Sequence, residues 1–187
     1  IFELYHDLIT FGTAAMFVEE DEQDLLKFST RHIDEVYVAE NQKGRIDTIF
    51  RRFHMTARAL VQKFGSNVSQ DVEVMAKRNP YEEMDIIHAV YPRNEFNPKK
   101  QDKKNMPFES IYFEYKGGNE LSVSGFKEFP FVVPRYLKAS HEVYGRSPAM
   151  TALPDVKMLN EMCKVTIKAA QKQVDPPLLV PDDGFLL

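Results

Sequence analysis

From Asp155 to Gln173 the chain contains no glycine, no proline and nothing else that interrupts a helix. Pro154 stands before that stretch and Asp175-Pro176-Pro177 after it. Proline has a fixed φ and no N–H, so the spacing predicts one long helix with two sharp ends. Its faces are unusual. Val156, Leu159, Cys163, Ile167, Ala170 and Val174 recur every three or four residues and share one apolar stripe. Met158, Met162, Val165 and Ala169 make a second stripe about a third of a turn away, and Lys157, Lys164, Lys168 and Lys172 form a ridge between the two. Such a helix wants apolar neighbours on two sides and water or a polyanion on one. A central helix of a monomeric domain, its lysines snorkelling to solvent, meets that demand. So does a helix held between its own subunit and an identical neighbour in a ring, with the lysines toward a channel.

The 187 residues are 43% hydrophobic and 28% charged, material for one core or two small ones. A net charge of −4 argues against a broad basic face gripping nucleic acid, since that grip comes from lysine and arginine displacing counterions. An acidic protein that handles DNA has to let it slide. The single cysteine, Cys163, excludes an internal disulfide and fits a reducing compartment; in the apolar stripe it reads as a packing residue. No apolar run approaches the roughly 18 residues of a membrane span, and no signal-peptide pattern opens the chain.

In chain order, Ile1 to Ile9 reads as the tail of an amphipathic helix ending near Gly12. Strands are expected at 14–19 and 25–30, joined by the acidic turn Glu19-Glu20-Asp21-Glu22, which lacks the Asn or Gly spacing of a calcium loop and is assigned no chemistry. Val36–Ala39 and Ile46–Phe50 flank Asn41-Gln42-Lys43-Gly44, a hairpin signal, so the first 55 residues predict a meander of about four antiparallel strands. Thr56 can cap a helix carrying Ala57, Leu60, Val61 and Phe64 and closed by Gly65, with Arg51, Arg52 and Arg58 around its start. Extended runs follow at 86–91, 110–115, 121–126 and 129–136, interrupted by an exposed lysine-rich loop at 93–104 and a Gly117-Gly118-Asn119 hairpin turn. The fold class is α+β: antiparallel meander, helix, β-rich insertion, long helix.

Several ordered blocks carry a resemblance. FPFVVPRYLKASHEVYGRSPAMTALPDVKMLN, AAQKQVDPPLLVPDDG, ITFGTAAMFVEED, GRIDTIFRRFHMTARALVQKFG and HAVYPRNE together cover nearly the whole chain. They resemble the podovirus-type head-to-tail connecting (portal) proteins of tailed phages. The resemblance implies a wing-like segment at 1–55, a stem-type helix and linker at 56–83, a β-rich clip-like insertion at 84–136, and a returning stem or wing helix with a proline-rich loop at 137–187. Portal subunits are considerably longer, so it also implies a fragment lacking an N-terminal part and a large C-terminal part, which by itself is expected to be mainly monomeric. The implied function is a virion ring at the capsid vertex, assembled in the host cytoplasm, through which double-stranded DNA passes during packaging and ejection without sequence readout. The implied partners are identical subunits in a dodecamer, terminase, capsid and tail-adaptor proteins; no cofactor and no membrane are implied. Lys157, Lys164, Lys168 and Lys172 become candidate channel residues, and Met158, Met162, Val165, Ala169, Leu60 and Phe64 candidate ring-interface residues.

Enzymatic motifs fail on their chemistry. His141-Glu142 opens like a zinc-binding helix motif, but position 145 is Gly145 where a second histidine is needed. Gly145-Arg146-Ser147-Pro148-Ala149 mimics a nucleophile elbow, yet the oxyanion hole draws on the N–H after the serine and Pro148 has none. Ser147-Pro148 instead reads as a helix start. No phosphate-cradling GxxxxGK[ST] occurs, and His6, His32, His54, His88 and His141 fall on different expected elements. The competing readings are a small metal-dependent hydrolase or nuclease using Glu142 or the Asp182-Asp183 pair, and a generic virion adaptor domain.

Overall fold

The structure is a computed structural model that describes residues 1–21, 25–97, 100 and 102–176. One compact unit spans Ile1–Ser147 and a second begins at Pro148. The first opens with α1 (Phe2–Phe11), closed by Gly12 at φ 78, whose N–H reaches the Leu8 carbonyl. That left-handed turn suits a residue without a Cβ. The strands are β1 (Ala15–Asp21), β2 (Leu25–Arg31), β3 (Val36–Glu40), β4 (Ile46–Thr56), β5 (Glu83–Pro92), β6 (Phe108–Glu114), β7 (Glu120–Phe126) and β8 (Phe131–Val132). Between β4 and β5 lie α2 (Ala57–Phe64) and α3 (Gln70–Arg78).

The strands form a three-stranded sheet in the order β2-β1-β8 and a five-stranded meander in the order β3-β4-β5-β6-β7. The α+β class and its antiparallel character are as expected, but the four strands before residue 56 do not make one meander. β1 and β2 belong to the smaller sheet, while β4 pairs with β5 from Ile49↔Val90 to Thr56↔Glu83. The larger sheet therefore runs across the boundary expected at residue 84. Hairpin signals identify strands joined by short turns; they are silent about which strand takes the other edge.

Two clusters of buried side chains hold this unit together. Ala15 and Phe17 of β1 and Phe131 of β8 pack with Val36, Ile49 and Val90 of the larger sheet, joining the two sheets. Leu60, Val68 and Val72 pack with Phe53, Ile86 and Leu121, fixing α2 and α3 to the larger sheet. Local chemistry sets both helices. The Thr56 hydroxyl accepts from Ala59 N–H, and Ser69 accepts from Val72 N–H with Asp71 and Glu73 in the first turn and Lys77 and Arg78 in the last. The sequence reading missed α3, although this cap and charge order are its signature.

Other expectations are corrected. Glu19, Glu20 and Asp21 lie within β1 rather than in a turn, because they pair with Lys27, Leu26 and Leu25; Glu22 lies outside the described residues. Of 129–136, only Phe131–Val132 is strand, and it pairs with β1 of the smaller sheet. The final helix, α4 (Pro148–Val174), has 27 residues and contains Pro154 inside it. The helix therefore starts not at Asp155 but at Pro148, where the Ser147-Pro148 pair reads as a helix start. Pro154 removes one backbone bond, but helix formers on both sides let the helix continue past it.

Candidate functional site

Both apolar stripes of α4 are open. Met158, Met162 and Val165 are 56%, 58% and 61% exposed, and Val156, Leu159 and Ile167 are 48%, 56% and 60% exposed. Ala169 and Cys163 are exposed as well, so Cys163 is not a core residue within this chain. Apolar surface of this extent, on two sides of a 27-residue helix about 40 Å long, is the kind that other protein surfaces cover.

The ridge between the stripes is less uniformly basic than the lysine spacing suggests. Lys164 Nζ donates to Glu161 Oε1 and Oε2 at 3.0 and 3.3 Å. Near the helix end, Lys168 and Lys172 line one shallow depression together with Gln171 and Asp175. Lys157, Lys168 and Lys172 carry no ion pair among the described residues. Glu161, three residues before Lys164, was the overlooked signal.

The remaining interface candidates fall elsewhere. Leu60 is 0% exposed and sits in the second core cluster, so it has no surface to offer a neighbour. Phe64 packs against the same cluster, its ring 5.5 Å from that of Tyr112. Of these two candidates for a ring interface, Leu60 instead serves the packing of α2 onto its own sheet, while Phe64 packs there and keeps part of its surface open.

The arginines before α2 are also engaged internally. Arg51 Nε donates to Glu35 Oε2 at 2.8 Å, and its guanidinium lies 3.9 Å from the Phe53 ring centre. Arg52 Nη2 donates to Asp85 Oδ2 at 2.8 Å and covers Tyr115 at 4.3 Å. That hydrogen bond holds the Asp85 carboxyl below its ordinary range. Arg58 remains exposed.

Glu142, the candidate of the hydrolase reading, accepts from Arg146 Nε at 3.0 Å and Nη2 at 2.5 Å. The hydrogen bonds from Arg146 depress its pKa, so it is a committed ion-pair partner. Asp182, Asp183 and most of the proline-rich loop lie outside the described residues. Among the described residues no group of three or more His, Cys, Asp and Glu side chains could hold a metal, and no helix is long and apolar enough to cross a membrane.

The chain just before α4 is fastened to the end of α1. Ser147 Oγ donates to the Thr10 carbonyl at 2.8 Å, Gly145 N–H donates to Thr13 Oγ1 at 2.7 Å, and Tyr136 N–H donates to the Gly12 carbonyl at 2.9 Å. A Cβ on Gly12 would lie 2.5 Å from Gly145 O, Arg146 C and Ser147 N, so two backbones touch there.

Comparison with known proteins gives a consistent picture. The chain is 39% identical over 183 residues to the portal protein of Salmonella phage epsilon15, covering 95% of this chain and 33% of that protein. It is 33% identical over 183 residues to the probable portal protein of Bordetella phage BPP-1, with the same 95% and 33% coverage. The chain thus spans about a third of the length of the curated relatives it matches. The family model for bacteriophage head to tail connecting proteins matches residues 1–186, and the chain belongs to that family.

Proposed function

We propose that this chain is part of a phage portal subunit, the ring at a capsid vertex through which double-stranded DNA is packaged and ejected. The observation that carries this reading is the 39% identity, over 95% of the chain, to a phage portal protein. Identical subunits packed head to tail close into a ring when the rotation between neighbours closes, here a dodecamer. Its partners are terminase, capsid and tail-adaptor proteins, and its role is structural, without catalysis.

In this reading Met158, Met162, Val165 and Ala169 face a neighbouring copy, while Lys157, Lys168 and Lys172, with the half-neutralised Lys164, face the channel. Each channel lysine then repeats at one height as a belt. Two unit charges about 4 Å apart in water interact by only about 1 kcal/mol, and salt screens most of that beyond about 8 Å. A sparse belt centres or brakes the phosphate backbone without trapping it, and phosphate contacts carry no base information.

The test uses the full-length subunit. Electron microscopy down the particle axis is expected to show a ring, and a protein that is only monomeric under assembly conditions overturns the portal reading. Lys157→Glu, Lys168→Glu and Lys172→Glu together are expected to leave the ring intact while altering DNA packaging or retention. Unchanged DNA yield and retention would remove these lysines from the channel.

A further inference from the structure

We propose that the corner where β2 and α2 meet the inner face of the five-stranded sheet binds a phosphate group. Arg51, His88 and Tyr112 lie side by side on that face as register partners across β4, β5 and β6. His88 stacks on Tyr112 with ring centres 3.9 Å apart and planes 3° from parallel. Lys63 of α2 places its Nζ 4.6 Å from the Tyr112 ring centre. Arg31 of β2 lies 5.8 Å from the ring centre of Phe17, which in turn meets His88 edge-on. Three cations from three elements therefore surround one aromatic floor.

Their hydrogen bonds are incomplete. Arg51 gives its Nε to Glu35 and finds no acceptor for its terminal nitrogens among the described residues. Arg31, Lys63 and the Tyr112 hydroxyl have no hydrogen-bond acceptor or ion-pair partner there either. The one other carboxylate near them, Glu19, is engaged with Lys27 at 3.5 Å. Burial and then repulsion from Arg51 lower the affinity of Arg31 for its proton; burial, with repulsion from Arg31 and Arg51 and against the pull of Glu19, lowers that of Lys63; and burial keeps Tyr112 a protonated donor. Glu19 and Glu35 offset part of this positive charge, and none of these donors is sealed from solvent without a partner, so their open hydrogen-bonding capacity is free for an anionic oxygen. Arg31 is partly buried and Lys63 remains exposed, so a solute can reach them.

The donor set selects the ligand. Two guanidinium groups, an ammonium and a phenol arrive from four elements, more directions than the two oxygens of a carboxylate fill. A phosphoryl group offers several oxygens arranged tetrahedrally and pairs well with arginine forks. Free phosphate and a nucleic-acid backbone share this chemistry. All of its residues belong to the first compact unit, and it does not depend on the channel reading.

Inorganic phosphate titrated calorimetrically into this 187-residue chain at constant ionic strength, with chloride as the control salt, is expected to bind saturably. Arg31→Gln with Lys63→Gln is expected to raise Kd about tenfold or more. Should that pair perturb the circular dichroism spectrum, Lys63→Gln alone, at an exposed position, gives the same direction with a smaller factor. A short DNA duplex that competes with phosphate and loses affinity in the same variants identifies a nucleic-acid backbone as the source; phosphate binding without duplex competition identifies the free anion. Absence of saturable phosphate binding, or an unchanged Kd in the variants, overturns the proposal. So do variants that alter self-association in sedimentation while phosphate does not bind, which would assign the corner to a carboxylate of a second copy.

Discussion

The imidazole of His88 lies flat on the Tyr112 ring, 3.9 Å between centres, with Nε2 2.9 Å from the Ser110 hydroxyl. Burial, reinforced by Lys63, Arg51 and Arg31, pushes the His88 pKa down to about 3, and burial pushes that of Tyr112 up to about 12. His88 is therefore neutral in the folded chain at every pH where the unfolded histidine begins to protonate. The unfolded state takes up the proton near pH 6.5 and the folded state resists it until about pH 3. Stability from this group is fully present above about 6.5 and falls with acidification through that window, by an upper bound of about 5 kcal/mol. Urea unfolding measured from pH 7 to 4 is expected to show a shallower pH slope in His88→Phe than in the parent; equal slopes would contradict it.

Gly12 and Gly117 separate steric closeness from φ strain. Both have positive φ, 78° and 93°, but a Cβ on Gly117 meets nothing within 4 Å, whereas on Gly12 it meets three backbone atoms at 2.5 Å. Gly117→Ala is expected to lose about 1 kcal/mol from conformational strain alone. Gly12→Ala is expected to lose about 3 kcal/mol or more, because α1 and the 145–147 segment must separate. Denaturant midpoints compare the two directly, and equal losses would mean the backbone contact does not matter.

Leu60→Ala tests where that side chain acts. A fully buried leucine leaves a cavity, so a loss of about 2–5 kcal/mol is expected in this chain by itself. An interface residue would leave chemical denaturation of the isolated chain nearly unchanged and weaken only assembly.

Met162→Glu with Val165→Glu should do the reverse. Both side chains are more than half exposed, so the isolated chain is expected to keep its unfolding free energy within about 0.5 kcal/mol. The full-length subunit is expected to assemble poorly, because charge buried without a partner is unfavourable. Normal rings from this variant would move the neighbour's contact to another face of α4.

What could be read along the chain were features that close within a few residues. The Asn41–Gly44 turn forms because Asn41 Oδ1 accepts from the N–H groups of Lys43 and Arg45, at 2.9 and 3.1 Å, while Gly44 supplies a φ of 72°. The Thr56 cap, the Gly12 and Gly65 helix ends, the strands of the larger sheet and the single long final helix are equally local. Pro154 misled because proline's effect on one bond is local, whereas whether the helix survives it depends on the residues around it.

The sequence by itself determined the α+β class, most of the elements other than α3, and the two apolar stripes of α4, since backbone sterics and nearby hydrogen bonds settle those. Only the tertiary structure decided that Leu60, at 0% exposure, is core while Met162, at 58%, is surface. It alone put β4 beside β5 and brought Arg31, Arg51 and Lys63 around Tyr112. Periodicity tells which side of an element is apolar; what fills that side depends on surfaces far apart in the chain, and no local spacing encodes their meeting.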